Sequence, residues 1–229
     1  VRGGYERLPM PLWNSEEGSF SGGGMSANGE RVFNTNYFVY REGRPVDPFS
    51  STTALARLIW DRTSNSYFPA PPLSPLGNFL SESGDTAATV LWKAVAISGD
   101  GSKVLLDGRE WFGGVHHVGV YDLSTQTVRL LALDRLSALL PELEPSIYFP
   151  AHALCDWGYQ GVYNTNCRRA ISYDGSTVVL TMTKSGVHQT IKWHVGAGTD
   201  TLETVGPVMP DNRWPGAAQV SDDGSTVMW

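Results

Sequence analysis

The residues most typical of metal chemistry in this sequence are two adjacent histidines, His116 and His117. A metal site needs several ligands that converge on one point, and imidazole nitrogens are common among them. The apolar residues that follow predict a strand, however, and neighbouring side chains on a strand point to opposite faces. The pair is therefore unsuited to holding one ion. The other histidines, His152, His188 and His194, are scattered, and we predict neither a metal site nor a cofactor.

Acidic and aromatic residues between the apolar runs could form a binding or catalytic surface. Glycoside hydrolysis uses two carboxylates about 5–10 Å apart, and aromatic rings beside them could stack on sugars or bind a protein partner. The carboxylates in question are Glu82, Asp85, Asp107, Glu110, Asp134, Glu142, Glu144 and Asp156. The candidate binding residues are Trp111, Phe112, Asp156, Trp157 and Tyr159. Because acidic residues are also usual in solvated loops, no catalytic residue is predicted.

Motifs of nucleophilic and phosphate chemistry are absent from the sequence. No Gly-x-Ser-x-Gly elbow occurs. The three glycines at 22–24 lead into a predicted strand, whereas a phosphate-binding loop leads into a helix. The aspartates of the Asp-Gly pairs lack the spacing of an EF-hand loop, so we interpret them as turn residues.

Cys155 and Cys167 are the only cysteines, and they bracket a stretch rich in turn-forming residues. We expect a disulfide between them, since closing a loop of this size would contribute roughly 2–3 kcal/mol. A disulfide implies an oxidising compartment, which favours an extracytoplasmic protein. The alternative is a pair of buried thiols in a reducing compartment.

These residues must be positioned by a repeated element. The pattern Ser-x-Asp-Gly-Ser-x-Val between apolar runs occurs at 96–106, 170–180 and 219–229, and a weaker copy with Asn-Gly occurs at 25–33. Apolar runs on both sides of an Asp-Gly or Asn-Gly pair predict a β-hairpin with a type I′ turn, in which both central residues take positive φ.

A second, looser repeat follows the first three hairpins, at 58–67, 118–128 and 191–202. Each copy is a strand that ends near an aromatic residue, a polar turn and a return strand. Two hairpins in succession make a four-stranded antiparallel sheet with strands A to D, and such a sheet repeated along the chain is typical of a β-propeller blade.

The two hairpins together resemble the WD-like repeats of bacterial Tol-type β-propellers. The residues that carry the resemblance are Ser-x-Asp-Gly-Ser-x-Val and the following Tyr-Asp-Leu-Ser-Thr-x-Thr at 121–127. The resemblance covers about half of the chain and implies an all-β propeller. It implies no particular function, because such blades serve unrelated roles.

The sequence predicts an incomplete propeller. We expect a leading outer strand at 1–13, blades at about 22–72, 90–133 and 168–208, and a partial blade at 216–229, as one domain or a segment of one. A short helix is predicted at 134–140, with Asp134 as its N-cap and Pro141 after it. An open array would expose sheet edges, so we expect a segment of a larger protein. The alternative is closure within the chain.

The long connections are predicted to emerge on one side of the blades. Turns A–B and C–D lie at one end of an up-and-down sheet, whereas B–C and D–A connections lie at the other. The long stretches at 42–53, 73–86 and 134–166 are all of the second kind. Elaborated loops on a rigid scaffold are where binding concentrates.

Charge and composition limit the function further. The net charge of −6 disfavours a nucleic-acid partner, and no apolar run approaches the ~18 residues of a membrane span. The sequence therefore predicts an extracytoplasmic, bacterial binding or assembly module with a protein partner or with self-assembly, and a glycan ligand is possible. The alternatives are a propeller-type hydrolase or lyase acting on glycan or peptide through loop carboxylates, and a structural subunit of a cell-surface polymer.

Overall fold

The described part of the chain consists of β-strands and turns. The computed structural model describes residues 23–34, 40–41, 44–45, 59–68, 90–110, 116–131, 170–184, 187–196, 200–210 and 218–228. No helix occurs within these ranges. The all-β class expected from the sequence is thereby confirmed for them, and the predicted helix at 134–140 lies outside them.

The strands are short in the first third of the chain and longer afterwards. The first six are β1 (Gly23–Met25), β2 (Arg31–Asn34), β3 (Tyr40–Arg41), β4 (Arg44–Pro45), β5 (Ile59–Asp61) and β6 (Ser66–Tyr67). The next four are β7 (Val90–Ile97), β8 (Lys103–Glu110), β9 (His116–Asp122) and β10 (Thr127–Leu130). The last five are β11 (Thr177–Lys184), β12 (Val187–His194), β13 (Thr201–Pro210), β14 (Gln219–Val220) and β15 (Val227–Met228).

These strands form three larger antiparallel sheets and two hairpins. Sheet I has the order β1-β2-β5-β6, sheet II β7-β8-β9-β10 and sheet III β11-β12-β13. Hairpin IV is β14-β15, and a separate hairpin joins β3 to β4. Each sheet thus follows chain order, although in sheet I the separate hairpin β3-β4 lies in sequence between the paired strands β2 and β5.

Two predicted strands are described only in part. The strand expected from Arg31 to Arg41 is described at its two ends, as β2, which pairs with β5, and as β3, which pairs with β4 in a separate hairpin. The first strand of the third repeat is reduced to one bridge between Ile171 and Val178. The described part of sheet III therefore contains three of the four expected strands.

The core lies between successive sheets and not within any one of them. Phe33 and Ile59 of sheet I pack against the face of sheet II that carries Val104 and Tyr121. The opposite face of sheet II, with Leu105, packs against sheet III. A further small cluster joins Val179 of sheet III to Ala218 and Val220 of hairpin IV. Sheets II and III are therefore apolar on both faces, as expected for sheets stacked in a row.

Candidate functional site

The predicted site residues fall outside the described ranges. This applies to the candidate binding residues Trp111, Phe112, Asp156, Trp157 and Tyr159 and to the proposed disulfide of Cys155 and Cys167. The structure shows, however, where the strands adjoining the first two begin and end. β8 ends at Glu110, immediately before Trp111 in sequence, and β9 begins at His116.

The site that the structure does define is built from the four Ser-x-Asp-Gly turns. The second copy shows their common hydrogen bonds. The Gly101 N–H donates to the Ser98 carbonyl (2.9 Å), and the Ser98 hydroxyl donates to Oδ1 of Asp100 (2.6 Å). The same oxygen accepts from the Ser102 N–H (2.9 Å), and the Lys103 N–H donates to Ser98 Oγ (2.9 Å). The serine and the aspartate thus satisfy backbone and side-chain groups inside the turn.

The turn type differs from the prediction. A type I′ turn would need positive φ at the Asp or Asn as well as at the glycine. Only the glycines take positive φ, between 69° and 74°. The turn therefore begins at the serine, one residue earlier than expected, with the glycine as its fourth residue. The serine hydroxyl accounts for this difference, because it accepts the N–H that would otherwise pair with a backbone carbonyl.

The four turns are connected to each other in a row by backbone hydrogen bonds. These bonds run from the N–H of one turn to a carbonyl of the next, from Ala27 to Gly99, from Asp100 to Tyr173 and from Tyr173 to Asp222, each 2.9 Å long. We call the residues 26–31, 98–103, 172–177 and 221–226 together the turn row. Its bonds all have the same direction, since the donor always belongs to the earlier turn.

Side chains reinforce this row at the position two residues after each glycine. The Arg31 guanidinium donates to the Gly101 carbonyl, and the Lys103 ammonium donates to the Asp174 carbonyl (2.7 Å). The sequence analysis did not identify these residues. Their signal in the sequence was a long or branched polar residue at the same place in every repeat.

The glycines of the row are needed for space as well as for φ. A Cβ atom on Gly175 would lie 2.8 Å from Cδ of Lys103, and one on Gly224 would lie 2.6 Å from Oγ1 of Thr177. The side chain of each earlier turn thus lies directly over the glycine of the next turn. Gly29 of the first turn differs, because a Cβ there would meet no atom of the described residues within 4 Å.

Three carboxylates of the row, those of Asp100, Asp174 and Asp223, have a lowered pKa. Partial burial acts to raise the pKa of Asp100, but hydrogen bonds from Ser98 and Ser102 and the charge of Lys103 outweigh it, so the pKa lies below its usual 3.8. At Asp174 burial and hydrogen bonding oppose each other in the same way, and the pKa of this carboxyl is also lowered. Hydrogen bonds from Ser221 and Ser225 lower the pKa of Asp223 to about 2. Such groups cannot act as general acids near neutral pH, and their role in the turns is structural.

The second set of short turns lies at the same end of the sheets as the turn row. Oδ1 of Asp122 accepts from the Ser124 N–H (2.9 Å), and Asp61 accepts from Thr63 in the same way (2.8 Å). The two sets are joined by backbone bonds, from Arg62 to the Glu30 carbonyl, from Leu123 to Ser102 and from Val195 to Ser176. One end of the row of sheets is thus formed by short turns that are hydrogen-bonded to each other.

The remaining chemical features of the described residues are few. His116 and His117 lie on β9, as expected, and are adjacent along the strand. In the described ranges, no three His, Cys, Asp or Glu side chains come together as a metal site would require. Those ranges also contain no helix long and apolar enough to cross a membrane. No protein-family model matches the sequence, and neither does any curated protein. The function of the chain must therefore be inferred from its own residues and contacts.

Proposed function

We propose that this chain is part of a β-propeller and acts as an extracytoplasmic binding or assembly module. Sheets I and II supply four antiparallel strands each in chain order, as a propeller blade does. The faces of sheets I, II and III and of hairpin IV are packed on one another in sequence. This serial packing supports a propeller over a single sandwich, in which two sheets would enclose one core.

The binding surface is proposed at the end of the sheets opposite the turn row. The observation that carries this proposal is the asymmetry of the two ends. Short turns tie the sheets together at one end. The long connections at 69–89 and 132–169 start from the opposite end of the sheets. β6 and β10, which precede these connections, run away from the short turns, and β7, which follows the first connection, runs towards the short turns. A rigid scaffold that carries elaborated loops at one end is a common arrangement for recognition.

The proposed contact residues are Trp111, Phe112, Asp156, Trp157 and Tyr159. Aromatic residues supply large contact areas at interfaces and tend to be binding hot spots. Phe112 follows β8 by two positions, at the end where that strand leaves the turns. A protein partner is the lead hypothesis.

Site-specific photo-cross-linking would test this proposal. A benzophenone amino acid is placed at Phe112 or at Trp157 in the protein as it is expressed in its native compartment. We expect cross-linked protein adducts at both positions. Tyr173, a 44% exposed aromatic residue of the turn row, is the matched control and should give none. Adducts at Tyr173 alone, or at none of the three positions, would contradict the proposed surface.

Affinity electrophoresis in gels that contain a soluble polysaccharide distinguishes a glycan ligand from a protein partner. Retardation that is lost in Trp157→Ala and kept in Tyr173→Ala would identify a glycan. Alkylation of the native protein without reductant addresses the compartment. Labelling of Cys155 and Cys167 under these conditions would argue against the disulfide and against the extracytoplasmic placement that depends on it.

A further inference from the structure

The sequence contains a single Asn-Gly pair, Asn28–Gly29, and this pair lies in the first turn of the row. In a flexible chain the backbone nitrogen of such a glycine attacks Cγ of the asparagine, because glycine has no side chain to obstruct the attack. The pair therefore has the chemistry of spontaneous deamidation. The equivalent pairs of the other three turns, at 100–101, 174–175 and 223–224, are Asp-Gly and have no amide to lose.

Hydrogen bonds hold both reacting groups within the first turn. The Gly29 N–H donates to the Ser26 carbonyl (2.9 Å). Oδ1 of Asn28 accepts from the Glu30 N–H (3.1 Å), and Nδ2 of Asn28 donates to Oε2 of Glu30 (2.9 Å). Since the glycine nitrogen must lose its proton before it attacks, the reaction requires the bond to Ser26 to break and the amide to leave its partners.

The same amide also joins the first turn to the second. Three successive carbonyls of the second turn accept hydrogen bonds from the first turn. The carbonyls at 99, 100 and 101 accept, in that order, from the Ala27 N–H (2.9 Å), from Nδ2 of Asn28 (3.3 Å) and from the Arg31 guanidinium. Release of the Asn28 amide therefore breaks part of the contact between sheets I and II, and separation of these sheets at their turns frees the amide.

The residue after the glycine determines what deamidation does to the turn. In the other three turns this residue is a serine, and its N–H donates to the carboxylate of the aspartate. In the first turn it is Glu30, whose own carboxylate accepts from the Asn28 amide. An aspartate at position 28 would place two like charges where this 2.9 Å hydrogen bond now lies. It would also remove a donor to the Asp100 carbonyl.

We propose that Asn28–Gly29 is a deamidation site controlled by the contact between sheets I and II. When this contact opens, the Gly29 nitrogen gives its proton to water and bonds to Cγ of Asn28. The Cγ–Nδ2 bond then breaks, and the amide nitrogen takes up a proton and leaves as ammonia. Water opens the resulting succinimide at either carbonyl and gives aspartate or isoaspartate. Because the new carboxylate repels Glu30, the first turn binds the second less firmly afterwards, and the reaction thus records each opening. The proposed binding surface takes no part in it.

Peptide mapping after incubation at mildly alkaline pH measures the reaction, since it separates the asparagine, aspartate and isoaspartate forms. The folded wild-type protein should deamidate at least about tenfold more slowly than the same protein unfolded in urea, because only the open fraction reacts. Arg31→Gln removes a donor from the contact between the first two turns and should accelerate the reaction in the folded protein. Lys103→Gln is the matched control, because Lys103 donates to the Asp174 carbonyl of the third turn. It should react like the wild type. Equal rates in folded and unfolded protein, or equal rates in the two variants, would overturn the proposal.

A double-mutant cycle tests the effect of the product on the turn. Asn28→Asp should lower the midpoint of thermal unfolding at neutral pH, because it adds a carboxylate beside that of Glu30. In a Glu30→Ser background, which gives the first turn the serine of the other three, the same substitution should lose most of this effect. If Asn28→Asp is as stable as the wild type, or if Glu30→Ser leaves its cost unchanged, the proposed repulsion is wrong and deamidation does not weaken the contact.

Discussion

Asp100 shows what an acidic residue does in these turns. Its carboxylate accepts hydrogen bonds from the Ser98 hydroxyl (2.6 Å) and from the Ser102 N–H (2.9 Å). Asn28 has the same position in the first turn, where its amide oxygen accepts from Ser26 Oγ (2.6 Å) and from the Glu30 N–H (3.1 Å). An amide side chain can therefore accept the same hydrogen bonds inside the turn, and the negative charge of the carboxylate adds to the stability of the turn.

Replacing Asp100 by Asn should remove part of the pH dependence of stability. The folded pKa of Asp100 lies below its usual 3.8, so the unfolded chain takes up the proton more readily. The stabilisation is thus fully present above the unfolded pKa and is lost as the pH falls through the folded one. We expect Asp100→Asn to cost about 1 kcal/mol at pH 7 and less at acid pH. Urea unfolding followed by tryptophan fluorescence at pH 7, 5 and 3 measures this. An equal difference from the wild type at all three values would contradict it.

The glycines of the turn row allow a matched comparison of two effects. Gly29 and Gly175 have similar φ, +73° and +69°, but a Cβ on Gly175 would lie 2.9 Å from Cβ of Lys103, whereas one on Gly29 would meet no described atom within 4 Å. Gly29→Ala should lose about 1 kcal/mol through backbone strain alone. Gly175→Ala should lose about 1 kcal/mol more, because the neighbouring turn must move. Thermal unfolding at low protein concentration compares them, and equal losses would show that the contact with Lys103 yields freely.

At the scale of elements, the sequence predicted the hairpins better than their turns. The strands on both sides of Asp100 and Asp223 pair as expected. The predicted turn type was wrong, because an Asp-Gly pair can form either the two central residues of a type I′ turn or the last two residues of a turn that begins earlier. What decides between them is the serine hydroxyl, which competes for a backbone N–H. The bonds of Arg31 and Lys103 to the next turn could not be predicted either, since they join residues about seventy positions apart. The candidate binding residues lie outside the described ranges.

The pairing of β12 with β13 depends on one buried polar side chain. The register shifts between His188 and Thr190, where Gln189 lies. The Gln189 amide donates to the Thr190 carbonyl (3.1 Å) and to the Val205 carbonyl (3.2 Å), and it is only 8% exposed. It thereby supplies an amide donor to two backbone carbonyls beside the irregular part of the ladder.

Gln189→Leu should destabilise sheet III. The substitution keeps the approximate volume but removes the donor, and each buried carbonyl left unpaired costs about 1–3 kcal/mol. We expect faster amide exchange in β12 and β13 and a lower unfolding midpoint. Lys192→Gln is the control on the same strand, because Lys192 pairs with the exposed Glu203 at 3.5 Å. Such a pair contributes about 0–1 kcal/mol. An effect of Gln189→Leu no greater than that of the control would show that the bulge does not need the amide.

At the scale of the whole molecule, the described sheets form a row. A core cluster joins each sheet to the next, and hydrogen bonds join the turns of each sheet to those of the next in the same order. The cluster between sheets I and II contains Phe33, and the cluster between sheets II and III contains Leu105 and Trp193. Neither cluster includes residues from hairpin IV, whose contacts are with sheet III. Stability in such an array is approximately a sum of terms for each sheet and for each contact between neighbours.

This arrangement predicts that core substitutions act locally. Phe33→Ala removes a 4% exposed ring from the contact between sheets I and II and should cost about 3–5 kcal/mol there. Leu105→Ala empties a fully buried position between sheets II and III and should cost about 2–5 kcal/mol. Hydrogen exchange should consequently accelerate in β1, β2 and β5 for the first variant, with β12 and β13 least affected. In the second variant β12 and β13 should exchange faster and β1 should change least.

The comparison of these two variants separates a row of coupled sheets from a single cooperative core. If each contact stabilises only its neighbours, the exchange maps of Phe33→Ala and Leu105→Ala differ in the direction stated above. If the whole molecule opens as one unit, both variants accelerate exchange in all strands by the same factor.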